Sequence, residues 1–410
     1  MSSGNGFEED TIQELREINR LVYLRPSNGA LIDKRTMKNY NFGSPNYSMG
    51  ANAQAIVNSG GDFIWGPTSY LKVTITAEGG ATFGNGNLLN IFRNSVLTHR
   101  SGEILEHIHD SNVLGRILSK YMVSKDDQIK IDSMLGVPVD AAAKTYTRCV
   151  PLWMLFGIFG NQSEYIPGGF LAGAKIELQL ETNKVASASD KNYSDIKLEL
   201  VLDSAQVYDS VQKQLLEEQA SVAGSGLQYT YSTYFNSFQD FPTSSVSYDI
   251  QQSASITEMV AATVRVAATV DTDNADSFTF LGNLVTNYQY RLGSEYFPQQ
   301  AVNATVAGQT VEPYYHALTA FNSSPHQYEG YSSSGGGSNV EVADYYDKHG
   351  VYAQTLEKSA SGLMLSGQPT NNSRLLNLSM TKTSVTHRIN VMLKYIRVAN
   401  IMGDSLVVDR

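Results

Sequence analysis

Short segments in which apolar and polar residues alternate make up most of the chain after Pro26. In residues 70–76 (YLKVTIT), Leu71, Val73 and Ile75 alternate with polar neighbours, which is the period of a strand with one buried face. Clusters of Gly, Asn, Ser and Pro separate such segments, and these residues favour turns. The pattern predicts an all-β protein.

The N-terminal arm has a different pattern. Ile12, Leu15, Ile18 and Val22 recur at three- and four-residue steps, which predicts a short amphipathic helix. An acidic run at residues 8–10 precedes them, where the positive end of a helix dipole favours carboxylates. Because short isolated helices are marginal in water, we expect this helix to dock on another surface.

The two halves of the chain end in segments with the same alternation of apolar and polar residues. Residues 173–181 (GAKIELQLE) and 195–207 (DIKLELVLDSAQV) alternate in the first half, and residues 373–381 (SRLLNLSMT) and 387–401 (HRINVMLKYIRVANI) alternate in the second. Each half is therefore predicted to end in a pair of long strands with one buried face. In the last segment one face is predicted to hold Ile389, Val391, Leu393, Tyr395 and Arg397.

A stretch rich in Gln and Glu, residues 210–226, lies between these regions and ends at two glycines, which are natural helix stops. A chain of 410 residues also exceeds the size at which a single core stops growing. We expect an N-terminal arm over residues 1–25, a first domain over 26–212 and a second over 213–410. A tract without periodicity, residues 322–339, is predicted to be a long exposed loop.

Composition narrows the classes of function. A net charge of −10 and a pI near 5.2 argue against direct nucleic-acid binding, sequence-specific binding included, since phosphate contacts rely on Lys and Arg. Only 17% of residues are charged, against roughly 25% in average soluble domains, which predicts that something else covers much of the surface. The longest apolar run, residues 150–159, is about half the ~20 residues that span a bilayer. With no basic, apolar leader at the N-terminus, neither secretion nor membrane insertion is expected.

The metal candidate in the sequence is the run Glu106-His107-Ile108-His109-Asp110. On a strand, His107 and His109 would point to the same side, as two metal ligands must. A third ligand is not visible from spacing, so exposed histidines at a strand end are the favoured interpretation. No metal site is predicted.

Other candidates for chemistry are also weak. Cys149 is the only cysteine, which excludes an intrachain disulfide framework and a Cys-type metal cage and fits a reducing compartment. Its neighbours match no nucleophile motif. The Gly-rich run at residues 79–86 lacks the Gly-Lys-Ser/Thr ending of a phosphate-binding loop. The acidic pairs at residues 126–127 and 217–218 are interpreted as solvated faces. No catalytic residue and no cofactor are expected.

Several segments, taken in chain order, resemble one protein family. They are residues 62–75, 90–93 and 101–106, a short helix predicted at 111–121, and residues 151–159, 165–167 and 368–374. Together they resemble the double jelly-roll major capsid proteins of icosahedral DNA viruses, the lineage of tailless phages, adenovirus-like capsids, virophages and polinton-like viruses. The last segment departs from the family pattern, with Asn where the family often has Gly.

The resemblance implies two consecutive eight-stranded jelly rolls, with a short N-terminal helix and a few short helices in loops. It further implies a non-enzymatic capsid protein that forms pseudo-hexameric homotrimers in the virion shell, assembled in the host cytoplasm or nucleus. Implied partners are further copies in the trimer and neighbouring capsomers, penton and minor capsid proteins, or an internal membrane. The 24 tyrosines are predicted to line buried side faces between subunits.

Two other classes of protein remain open at this point. A jelly-roll spike that binds a receptor or carbohydrate would use Tyr-rich loops as its ligand surface. A cupin-type enzyme would need a cluster of His and Glu ligands inside its barrel, and the seven histidines are scattered.

The aromatic stretch at residues 288–300 (YQYRLGSEYFPQQ) is predicted to be a bending strand and not a ligand pocket. Alternation places Tyr288 and Tyr290 on one face and Gln289 and Arg291 on the other. The expected details are a bend at Gly293-Ser294, a strand end at Pro298, burial of Tyr296 and Phe297 at the barrel rim or a subunit seam, and an ion pair between Arg291 and an acid across it.

Overall fold

The structure is a computed structural model that describes residues 32–84, 86–122, 125–162, 164–208, 227–304, 311–321, 342–358, 366–370, 374–402 and 405–409. The strands are β1 (Ile32–Asn41), β2 (Asn52–Val57), β3 (Phe63–Ala77), β4 (Phe92–Thr98), β5 (Ile104–Ile108), β6 (Lys144–Pro151), β7 (Ala174–Leu180), β8 (Tyr193–Val207), β9 (Leu227–Phe241), β10 (Ser245–Ile250), β11 (Ala254–Val266), β12 (Val285–Leu292), β13 (Glu295–Asn303), β14 (Tyr352–Thr355), β15 (Gln368–Thr370), β16 (Leu376–Lys382), β17 (His387–Met402) and β18 (Ser405–Asp409).

Short helices occupy the connections. They are α1 (Ser111–Tyr121), α2 (Lys125–Leu135), α3 (Gly168–Leu171), α4 (Asn183–Ala186), α5 (Asn274–Phe278), α6 (Glu312–Phe321) and α7 (Val342–Lys348), with 3-10 helices at Leu88–Ile91, Leu152–Met154 and Gly157–Gly160. Within the described residues, no helix is long and apolar enough to cross a membrane.

The first eight strands form two antiparallel four-stranded sheets. One sheet has the order β1-β8-β3-β6 and the other has the order β2-β7-β4-β5. Apolar side chains of both inner faces fill the space between the sheets, with Phe92, Phe156, Phe159 and Phe170 among the largest fully buried ones. Two four-stranded sheets connected in this way are a jelly roll.

The remaining strands repeat the same order. One sheet runs β9-β17-β11-β14, with β15 beside β11 and β18 beside the end of β17, and the other runs β10-β16-β12-β13. Both sheets close over a second apolar core that contains Tyr288, Tyr290 and Tyr352. The prediction of an all-β chain with two consecutive eight-stranded jelly rolls is confirmed.

The predicted long strand pairs are present as strands, but their partners differ from the prediction. β7 pairs with β2 and β4, whereas β8 pairs with β1 and β3 in the opposite sheet. Strands that follow one another in a jelly roll cross between its sheets, so each pair lies across the core and not side by side. β17 also differs, because Asn390 and Met392 on its second face are as buried as Ile389 and Val391 on its first.

The stretch 288–300 forms a hairpin from β12 to β13. Tyr288 and Tyr290 are buried, and the turn follows at Gly293, whose φ of +62° favours glycine. The predicted end at Pro298 is wrong, since β13 continues to Asn303. A proline fits there because β13 is an edge strand with a shifted register.

The residues expected to bury beside this hairpin do so only in part. Phe297 is half-buried against the second core, but 49% of Tyr296 is exposed. Arg291 is exposed too, and among the described residues it has no ion pair. The turn is instead bridged by Arg374, whose Nη2 lies 2.7 Å from Glu295 Oε2.

The prediction that tyrosines line subunit faces is wrong for a large group of them. These tyrosines are fully buried inside the chain: Tyr121, Tyr193, Tyr231, Tyr288, Tyr290, Tyr345, Tyr346 and Tyr352. Several use the hydroxyl to satisfy a buried carbonyl, as when Tyr290 donates to Tyr352 O at 2.6 Å. A tyrosine ring fills a large volume in the barrel interior, and its hydroxyl can also donate a hydrogen bond to a buried backbone carbonyl.

Some predictions lie outside the described residues. They are the helix over residues 12–22, the break at 212/213 with the stretch 210–226 around it, the acidic pair 217–218 and the loop 322–339.

Candidate assembly site: the seam between the barrels

A third apolar cluster joins the two jelly rolls. From the first barrel, α1 contributes Leu114, Ile117, Leu118 and Tyr121. From the second barrel the cluster includes Met259, Phe280, Leu318, Phe321, Tyr345 and Met392. The rings of Tyr121 and Phe321 stack with centroids 5.2 Å apart. Burial of this layer away from water holds the barrels together.

The free edge of β5 faces the second barrel. Arg397 Nη1 donates to the carbonyls of Ile104 (3.2 Å) and Leu105 (2.6 Å), and the Tyr231 hydroxyl donates to Leu105 O at 2.9 Å. Asn236 Nδ2 donates to His109 O at 3.0 Å just beyond the strand. Side chains of one barrel therefore satisfy the edge of the other, which would otherwise be open to pairing.

A buried polar cluster continues the seam at the start of α1. Asp110 has a φ of +46°, and its Oδ2 accepts a 3.0 Å bond from Asn390 Nδ2 and lies 3.6 Å from Arg265 Nη2. Arg265 also donates to Asn390 Oδ1 at 2.6 Å and to Ser277 O at 2.9 Å. Burial lowers the pKa of Arg265 to about 10, and the charge of Asp110 opposes that shift.

Arg388 lies near this cluster on β17. Its Nε is 2.9 Å from Asp240 Oδ1, its Nη1 is 2.6 Å from Asp271 Oδ2, and its guanidinium lies over the Phe238 ring at 4.4 Å. Two carboxylates offset the charge of Arg388, which also acts on Arg265. Because each arginine has at least one carboxylate beside it, Arg265 and Arg388 can lie close together without strong repulsion.

The two barrels approach each other closely at Gly157. A Cβ placed on this residue would lie 2.3 Å from Ser232 O of β9, so only glycine fits without movement of a strand. The next amide, Ile158 N, donates to Glu106 Oε1 at 3.1 Å. Burial raises the pKa of Glu106 to about 7, against a smaller opposing effect of its hydrogen bonds and Arg397.

A second junction links the barrels away from β5. Asn274 at the start of α5 donates from Nδ2 to the carbonyls of Val185 (2.8 Å) and Ala186 (2.9 Å) in α4. Both carbonyls are the open end of a one-turn helix, where acceptors lack partners within the helix. Two separate junctions restrict rotation of one barrel against the other.

Two grooves flank the seam. One, of about 730 Å³, is bordered by Glu103, His107, His109, Arg374 and Arg397. The other, of about 560 Å³, is bordered by apolar and aromatic residues that include Met122, Ile131, Trp153, Tyr231 and Tyr234.

The histidine pair lies in the first groove. Both side chains are exposed, and the rings of His107 and His109 lie side by side with centroids 3.9 Å apart. The groove shields part of the His107 ring from water, and this partial burial, followed by the charge of the neighbouring His109, lowers the pKa of His107. The two histidines lie at and just beyond the end of β5, and the described residues contain no group of three or more potential metal ligands.

The other candidates are not brought together. Cys149 is half-buried on β6, where burial raises the pKa of its thiol and disfavours the nucleophilic thiolate. The Gly-rich run follows β3 and leads into the 3-10 helix Leu88–Ile91. Residues 126–127 lie in α2.

Sequence reasoning missed most of the seam. Asp110 and Asn390 are 280 residues apart in the chain, and alternation carries no information about such a pair. Arg397 does carry a signal, because its place on an otherwise apolar face of β17 is visible in the sequence. A charged residue in a buried pattern could therefore have indicated this site.

Comparison with known proteins identifies the fold. No family model matches the sequence, and no curated protein matches it. Among solved structures, VP54 of the virus PBCV-1, fitted into a reconstruction of the virophage Sputnik, has 12% identity and a TM-score of 0.63, covering 95% of this chain and 99% of VP54. The major capsid protein of Faustovirus has 9% identity and a TM-score of 0.62, with 92% of each chain covered. A chain of the Sputnik virophage structure has 12% identity and a TM-score of 0.57, covering 94% of this chain and 91% of that one. The chain thus has the double jelly-roll fold of these capsid proteins over nearly its whole length.

Proposed function

We propose that this protein is the major capsid protein of an icosahedral virus. The observation that carries the proposal is the near-complete mutual coverage with VP54, 95% of this chain and 99% of that one. The likeness spans both barrels and extends over nearly the whole chain, and is not confined to one common β domain. At 12% identity the likeness concerns fold, and the role is inferred from it.

The seam supports a role as a rigid building block. Three copies of a double barrel place six similar barrels around one axis, which gives a pseudo-hexagonal outline that can tile a facet. Such an outline requires a fixed angle between the barrels of each copy, and the seam holds this angle through an apolar layer, capped edge carbonyls and the ion pair of Asp110 with Arg265. Closed threefold contacts between copies would cover further surface.

The surface offers apolar positions for such contacts. The side chains of Ile56, Val139 and Val385 are 61%, 60% and 61% exposed. The proposal includes contacts with neighbouring capsomers, with penton and minor capsid proteins or with an internal membrane. It also places the protein in the virion. We propose no enzymatic activity for it.

Electron microscopy of the expressed protein tests the role. The expected result is hexagonal particles with threefold detail, alone or as facets of larger shells. Monomeric particles together with specific binding on a carbohydrate array would contradict the capsid role and favour a spike.

A further inference from the structure

The second groove, the apolar groove, is lined by side chains of both barrels. Met122, Ile131 and Trp153 come from the first barrel, and Tyr234 and Ile396 come from the second. Met122 is 38% exposed and Trp153 is only partly buried. Apolar side chains are therefore left in contact with water where the two barrels meet, which is typical of a surface that binds a partner.

The charges around this groove limit the kind of partner. Lys394 is the only charged residue among the described residues that line it, and its Nζ lies 3.0 Å from Glu258 Oε2. The first groove differs, because Glu103, Arg374 and Arg397 border it. An apolar partner therefore suits the apolar groove better than a charged one, which would lose its water without gaining a counterion.

The N-terminal arm of the same chain offers an apolar surface of the right kind. The sequence predicts a helix over residues 12–22, in which Leu15, Ile18 and Val22 recur at i, i+3 and i+7, and Ile12 precedes them by three residues. This is the spacing with which an amphipathic helix lays its apolar face into a groove. Because such a short helix is marginal in water when it is alone, it gains stability from a surface that covers this face.

The start of β1 lies within reach of the apolar groove. β1 begins three residues before Arg35, whose Nε donates to Asp203 Oδ1 at 2.9 Å. Asp203 also accepts a hydrogen bond from Thr68, which follows the groove residue Pro67. Residues 23–31 connect the predicted helix to β1, and an extended chain of that length spans up to about 30 Å. The helix can therefore reach the groove of its own chain.

We propose that the helix predicted at residues 12–22 docks with its apolar face in the apolar groove of its own chain and so bridges the two barrels. The helix would cover Met122 and Trp153 on the first barrel and Ile396 on the second, and would remove their exposed surface from water. This contact adds to those that already hold the seam. It forms within one chain, so it does not depend on the capsid role.

Quenching of tryptophan fluorescence by acrylamide tests the docking in the full chain, because Trp153 lines the groove. Ile18→Asp should weaken docking by at least about a hundredfold, since it loses the burial of the isoleucine and brings a carboxylate against apolar surface. The quenching constant should rise as a result. Trp153→Phe added to Ile18→Asp should remove this rise, which assigns the signal to the groove.

Gln13→Asp is the matched control for the arm. It adds the same carboxylate on the opposite face of the predicted helix, so the quenching constant should stay at the wild-type value. An unchanged constant in Ile18→Asp would overturn the proposal, as would an equal rise in both variants.

A change in the groove tests the same contact from the other side. Met122 and Met134 are both 38% exposed, but Met134 is not among the residues that line the groove. In Met122→Asp, the protection of the amides at residues 12–22 against hydrogen exchange should fall at least about tenfold. In Met134→Asp it should be retained, and equal losses would contradict the proposal. The arm variants decide the question if Met122→Asp does not fold.

Cross-linking distinguishes the groove of the same chain from that of a second copy. Ile18→Cys and Met122→Cys are combined with Cys149→Ser, and the two thiols are joined by a short bis-maleimide. Cross-links within single chains, seen by mass spectrometry under denaturing conditions, are expected. Covalent pairs of chains would show that the helix docks on a second copy and would overturn docking within one chain, and a lack of cross-links would overturn it as well.

Discussion

At the scale of single residues, Gly157 limits how closely the barrels approach. Its hydrogen atom faces Ser232 O, where a Cβ would lie at 2.3 Å. We expect Gly157→Ala to lower the free energy of unfolding by about 1–3 kcal/mol, because β9 must move away from the first barrel. Denaturant unfolding measures this loss.

Gly160→Ala is the matched control. It lies in the same 3-10 helix, and its Cβ would meet nothing closer than Trp153 Cβ at 3.9 Å. Equal losses in both variants would show that helix geometry, and not the close approach, determines the cost.

Asp110 is a second residue on which the seam depends. We expect Asp110→Asn to cost about 1–3 kcal/mol of unfolding free energy, because Arg265 is left buried without its anionic partner. Asparagine also tolerates the positive φ of this position, so backbone strain should not contribute to the change in unfolding free energy.

Asp195→Asn controls for that change. Asp195 also has a positive φ, of 48°, but it is exposed on β8. Chemical denaturation of both variants should show a loss at position 110 alone, and unchanged stability of Asp110→Asn would refute the role given to this ion pair.

Residue-level prediction from the sequence succeeded where a local pattern decides the outcome. Tyr288, Tyr290 and the buried face of β17 follow directly from period-two alternation. Asp110, Arg265 and Asn390 could not be paired in advance, since their contact depends on how two barrels pack. Tyr296 is half-exposed within its own chain because it lies in an edge hairpin, where one side of the strand is open, and its burial at a subunit seam stays a prediction.

At the scale of elements, α1 is the main apolar contribution of the first barrel to the seam. Leu118 is 1% exposed and belongs to the interbarrel cluster. We expect Leu118→Ala to cost about 2–5 kcal/mol, because it removes buried methyl groups and leaves a cavity. Calorimetry should also show the two barrels unfolding in less coincident steps.

Leu375→Ala provides the comparison for this change, since Leu375 is 44% exposed. Its effect on stability should be within about 0.5 kcal/mol. A loss as large as that of Leu118→Ala would mean that the unfolding signal does not report on the seam.

Element prediction was strongest for long, regular strands. β3, β7, β8, β16 and β17 appear where alternation placed them. Which strands pair with each other could not be predicted from the sequence, because alternation indicates the buried face of a strand and not its partner. The proline in β13 was misjudged because its effect depends on whether a strand is at an edge.

At the scale of the whole molecule, the fold repeats one eight-stranded order twice and joins the copies at a seam rich in polar contacts. The sequence pattern indicated two similar β domains, and the resemblance supplied the jelly-roll fold, while the capsid role stays a proposal. The angle between the barrels had no signal in the sequence. It results from glycine at one close approach, from capped edge carbonyls and from charges buried at the interface.

The central claim is that this chain is a capsid building block, and the mass of the purified protein in solution tests it most directly. Analytical ultracentrifugation over a range of concentrations should give three times the chain mass of 44.9 kDa, with larger assemblies as concentration rises. A stable monomer at every concentration would contradict the claim.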